Sequence, residues 1–146
     1  MIAEEFLQLA NRLSLGQKSG PADFRTAISR AYYAVYHLAR KFLNEEMGFH
    51  CARRDQEHQW IQRHFLNCSA GSAASEIGRH LQNMHEDRKC ADYELNDMDI
   101  EAKSAATAAL ERAREVEALL QACASAANVP TVKAEMLQYR KRANVQ

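Results

Sequence analysis

No segment of this chain alternates polar and apolar residues at a period of two, which excludes a half-buried β-sheet. No charge of either sign is in surplus: 19 Lys and Arg balance 19 Asp and Glu. A protein that holds polyanions by bulk electrostatics carries an excess of basic residues, so any phosphate contact here must be local. No window approaches the length of an apolar membrane span, and Met1-Ile2-Ala3-Glu4-Glu5 lacks the basic start and apolar run of a secretion signal. The four cysteines, Cys51, Cys68, Cys90 and Cys123, form no close pair, and neither CxxC nor HExxH occurs. A disulfide framework and a clustered metal site therefore have no support, and reduced thiols in a cytoplasmic protein are expected. His80, His85 and Cys90 lie five residues apart, around a helix and not along one face, so no metal and no cofactor are expected. There is no internal repeat, and 146 residues leave room for one core.

What is present is helical periodicity. From Asp23 onward, positions 23, 26, 30, 33, 37, 40 and 44 are Asp, Thr, Arg, Tyr, His, Arg and Asn. Positions 24, 28, 31, 35, 38 and 42 are Phe, Ile, Ala, Val, Leu and Phe. One long helix thus carries a core face and an ordered polar row. A first helix is expected over about 2–15, broken by Gly16 to Gly20. Pro21 opens the second, which Gly48 ends. Asp55 is expected to cap a third helix carrying Trp60, Ile61, Phe65 and Leu66, with Trp60 and Phe65 in the core. A fourth is expected over 73–93, with Ile77, Leu81 and Met84 inward. Asn96 to Asp99 turns the chain into an alanine-rich fifth helix reaching about 127, suited to close packing. Pro130 and Thr131 restart a basic segment, a short C-terminal helix or a tail. The expected fold is all-α, an up-and-down bundle of four to five helices over 1–128, followed by that segment over 129–146.

On the fourth helix Leu81, His85, Arg88 and Asp92 fall on one line. Arg88 continues an apolar stripe, so its guanidinium is expected at the edge of the core, with Asp92 as its neutralising partner, or Arg30 as the partner of Asp92. The alternative is that Arg88 and His85 face a cleft where a planar guanidinium takes a phosphate. Tyr32, Tyr36 and Leu43 lie apart from the main apolar stripe, and that side is expected to be a subunit contact in a homodimer.

Ser29-Arg30-Ala31-Tyr32-Tyr33-Ala34 with His37, and Arg88-x-x-Ala91-Asp92-Tyr93, resemble the two signature blocks of HEPN-domain proteins. The resemblance extends over roughly 3–122 in helix order and spacing. It implies a helical protein of toxin–antitoxin or defence type, often found beside a minimal nucleotidyltransferase antitoxin. Many members resemble metal-independent ribonucleases whose motif is an arginine, four to six residues and a histidine, in a groove shared by a dimer. Arginine would stabilise charge on phosphorus while histidine moves the proton of the RNA 2′-hydroxyl. Arg30–His37, Arg53–His58 and Arg79–His85 fit that spacing, against about 1.6 matches from chance placement, so the spacing alone is not evidence. Arg79 and His85 are preferred because they lie on the helix that carries Arg88, so Arg79, His85 and Arg88 are the catalytic candidates for single-stranded RNA. Arg30, Tyr33, His37, Asp92 and Tyr93 are the candidate binding or structural network. Tyr93 stands where the motif histidine is expected, and a phenol with a pKa near 10 is a poor base at neutral pH. That departure supports an alternative: a non-catalytic module binding a nucleotide or a partner.

Overall fold

The computed structural model describes residues 2–145. The protein is all-α: α1 (Ala3–Leu15), α2 (Pro21–Glu45), α3 (Glu57–Leu66), α4 (Ala73–Tyr93), α5 (Lys103–Cys123) and α6 (Val129–Ala143), with short 3-10 turns at Arg54–Gln56 and Asp99–Glu101. Among the described residues there is no strand, and no helix is long and apolar enough to cross a membrane. The residues form two compact units, one made of the chain up to 37 with 81–115, the other of 38–80 with the chain from 116.

Local chemistry explains both ends of α2. The Gly20 N–H donates to Asp23 Oδ2 at 2.9 Å, so the third helical residue reaches back to satisfy a donor ahead of α2. Gly48 adopts φ 75° after α2, a left-handed conformation that favours glycine. It lets the Phe49 N–H return to Leu43 O at 2.8 Å while the Phe49 ring is buried. Asp55 does not cap α3 as expected. It sits in the 3-10 turn ahead of the helix, 3.3 Å from Arg53, and α3 starts at Glu57 with no side-chain cap.

α2 is buried along two seams. Besides the main apolar stripe, Arg25, Ser29, Tyr32, Tyr36, Ala39 and Leu43 are all at most 7% exposed. The side expected to meet a second subunit at Tyr32, Tyr36 and Leu43 is therefore covered within a single chain. Their spacing of four and three residues is that of a second core-facing row, which a single-stripe reading of the helix overlooks.

In the first unit, α5 presents Ala106, Ala109 and Ala113 to the core, all buried, as its alanine content predicts. Arg112 pairs with Asp87 at 2.8 Å, and Arg114 donates to Asn11 Oδ1 at 3.0 Å. Arg25 is the main polar element here. It donates to the carbonyls of Cys90 and Ala91 at 3.1 Å, Glu94 at 3.1 Å and Asp97 at 2.9 Å, and pairs with Glu101 at 2.9 Å. The last carbonyls of a helix lack intrahelical donors, so one buried guanidinium caps α4 and fixes the loop that follows it.

In the second unit, Leu43, Met47, Ile61, Phe65, Ile77 and Met136 are buried. α6 is an ordered helix here, held by Val132, Met136 and Tyr139, and groups with 38–80 and not apart from it. His64 is fully buried. Its Nδ1 lies 2.7 Å from Trp60 O and its Nε2 3.1 Å from an Arg140 Nη1, so a neutral ring with the proton on Nδ1 satisfies both contacts. Arg140 itself lies 4.5 Å over the Phe49 ring. Trp60, expected in the core, is only partly buried and rests against His64 with centroids 4.2 Å apart. Cys68 and Cys123 are buried, and burial, reinforced by Glu135, pushes the Cys68 thiol up to about 12.

Gly78 marks a close approach of α4 to α3 in this unit. A Cβ there would lie 2.6 Å from Leu66 N and 3.0 Å from Leu66 Cα, backbone atoms that cannot turn aside. Gly78→Ala would gain up to about 1 kcal/mol of helix propensity. The forced separation of α3 and α4 outweighs it, and a net loss of about 2 kcal/mol is expected in urea melts. A variant as stable as wild type would show that the crossing opens freely.

Candidate functional site

The first unit holds seven of the eight candidate residues: Arg30, Tyr33, His37, His85, Arg88, Asp92 and Tyr93. Arg79, the eighth, lies in the second unit, where its exposed guanidinium is 2.6 Å from Glu76.

The centre of the group is the Tyr32–Tyr33 pair of α2. Arg88 donates from Nη2 to the Tyr33 hydroxyl at 2.8 Å, and its guanidinium carbon lies 5.2 Å from the Tyr33 centroid and 5.9 Å from that of Tyr32. Its Nε is 3.7 Å from Asp92 Oδ2, an ion pair too long for a hydrogen bond, and that Nε is buried without another partner. Asp92 Oδ2 also accepts from Ser29 Oγ at 3.2 Å. The pairing of Arg88 with Asp92 follows the sequence expectation; Arg30 does not share it. Arg30 lies instead over the rings of Phe6 and Tyr33, 5.8 and 5.7 Å from their centroids, a cation held against π faces.

The two histidines sit at opposite margins of the tyrosine pair. His85 stacks on Tyr32 with centroids 5.1 Å apart and planes 15° from parallel. Burial, and then the positive charge of Arg88, hold its pKa below the ordinary histidine value, so it is neutral at pH 7. His37 stacks on Phe6 at 5.5 Å and on Tyr33 at 6.4 Å. Tyr93 points elsewhere: it is 71% exposed, in no ring contact with this group.

Two participants were missed by reading the sequence. Phe6 of α1 closes the cluster beneath Arg30 and His37, and its signal was only an apolar position in a short helix. Arg25 organises the end of α4 next to Asp92. Its signal was its place in the row 25, 29, 32, 36 on α2, an arginine in line with buried positions.

The arrangement combines a nearly buried cation, a neutral histidine and stacked aromatic rings. It can stabilise an anion beside an aromatic surface, or place a base near a guanidinium. No known protein family, curated protein or solved structure matches the chain.

Proposed function

We propose that this chain is a HEPN-type protein of a toxin–antitoxin or defence system, and that the Tyr32–Tyr33–Arg88 cluster binds a nucleotide or a partner such as a minimal nucleotidyltransferase without cleaving RNA. The two signature blocks support the family, and the state of Arg88 supports binding over cleavage. Stabilising a phosphorane demands positive charge that is unspent and within reach of the phosphate. The Arg88 side chain is only 11% exposed, faces Asp92 and gives a donor to Tyr33. A carboxylate one helical turn away offsets its charge, and Tyr93, in place of the motif histidine, is 71% exposed and stacks on none of the cluster's rings. The remaining guanidinium edge and the flanking rings suit reversible recognition of a planar base with a phosphate.

One observation favours metal-independent cleavage of single-stranded RNA as the second reading. His85, kept neutral, and Arg88 share the Tyr32 ring, so a base and a cation are adjacent. Purified protein in excess chelator, with labelled ATP and a short single-stranded RNA as probes, separates the two. The binding reading expects no turnover, with Arg88→Ala weakening a measurable affinity by about tenfold or more. It is overturned by cleavage that leaves a 2′,3′-cyclic phosphate, spares DNA and falls at least about a hundredfold in His85→Ala.

A further inference from the structure

Six large apolar side chains are substantially exposed among the described residues, and three of them, Tyr93, Leu95 and Met98, fall within six positions at 71–73% exposure. They stand at the end of α4 and in the loop after it. That loop is no loose connection. Arg25 grips the carbonyls of Glu94 and Asp97 from the buried side, the Asp97 N–H donates to Glu94 O at 3.0 Å, and Asp97 Oδ1 accepts from the Asp99 N–H at 3.1 Å. The backbone is fixed inward while the apolar side chains point to solvent. A rigid loop presenting a tyrosine, a leucine and a methionine carries a small ordering cost on association. Residues 92–101 also contain Asp92, Glu94, Asp97, Asp99 and Glu101 with no lysine or arginine, and neither Glu94 nor Asp99 has an ion-pair partner among the described residues.

α6 carries the complementary chemistry. Val132, Met136 and Tyr139 are buried on one side, while Lys133, Leu137 and Lys141 follow one another at four-residue spacing on the exposed side. Leu137 is 47% exposed, and neither lysine pairs with an acid among the described residues. We infer that the acid-rimmed loop of one copy, through Tyr93, Leu95 and Met98, docks the basic face of α6 of a second copy around Leu137. The face expected to join two subunits is internal, so association of this chain must use surfaces that remain outside, and these two match in both apolarity and sign. The patch is small beside a standard stable interface, so the contact is weak, concentration-dependent and screened by salt. It does not depend on the function proposed for the Arg88 cluster.

Sedimentation or light scattering of the full chain tests it. At low salt and about 100 μM, the mass should exceed the 16.6 kDa of one chain and return to it near 1 M salt. Leu95→Ser with Met98→Ser, or Glu94→Lys with Asp99→Lys, should leave a monomer that melts like wild type. Lys133→Glu with Lys141→Glu should do the same from the other surface, as should Leu137→Ser if a double substitution disturbs folding. Mixing the Glu94→Lys/Asp99→Lys protein with the Lys133→Glu/Lys141→Glu protein should restore association. A wild type that stays monomeric at low salt overturns the inference. So does association that survives the loop substitutions, or a charge-swapped mixture that stays dissociated.

Discussion

Replacing Arg25 with alanine lowers the stability of this protein by about 3–5 kcal/mol, the range for removing one partner of a buried ion pair. The side chain does more than neutralise Glu101. Its five donors span four carbonyls from Cys90 to Asp97 and one carboxylate, which no single compact cation can do. Without it, part-buried carbonyls at the end of α4 lose their donors and the Glu101 carboxylate loses its counter-charge. Arg25→Lys should recover only a fraction, because an ammonium reaches too few of these acceptors. Urea denaturation of the three proteins measures the effect, and amide exchange should show 94–98 opening first in Arg25→Ala. A loss below about 1 kcal/mol would place Arg25 among ordinary surface arginines.

The second large effect is a pH dependence set by His64. Burial, with Arg140 beside it, lowers its pKa from 6.5 to about 4, although the Trp60 carbonyl partly opposes the shift. An unfolded chain takes up this proton near pH 6.5, the folded chain only near 4. The contribution of His64 is therefore complete above about pH 6.5 and is lost as the pH falls to about 4. The integrated loss is about 3 kcal/mol. A protonated ring would also direct Nε2–H at Arg140, which now donates to it. NMR titration of the imidazole and stability curves at pH 7, 6, 5 and 4 test this directly, with His64→Asn expected to flatten the profile across that window. A His64 titrating near 6.5 in the folded protein would refute it.

These two residues also show where sequence reading succeeded and stopped. α4 was legible from end to end because Ile77, Leu81 and Met84 keep a helical period up to a turn-forming Asn96-Asp97. The two signature blocks brought Arg88, Tyr33 and Asp92 into one expected group because residues on a stripe share a face whatever they touch. Contacts across the fold follow no such rule. Arg25 stands in line with buried positions of α2, yet nothing local says that it crosses to four carbonyls while Arg79 pairs one turn away with Glu76. The second seam of α2 is visible in the sequence as a row of apolar residues, but its spacing fits a subunit contact as well as a core. Periodicity shows that a face is apolar, not which molecule covers it. Phe6 was silent for the same reason: its importance lies in the rings of α2 that lean on it.

The cysteines have a practical consequence. Thiolates react with alkylating reagents while thiols do not, so the raised pKa of Cys68 and Cys123 and their burial shield both sulfurs at neutral pH. Cys51 and Cys90 remain accessible, and the two compact units contain one of them each. Wild-type protein therefore offers two selectively addressable probe positions without engineering. A fluorophore or spin label at each lets the opening of one unit be followed against that of the other in a single unfolding experiment.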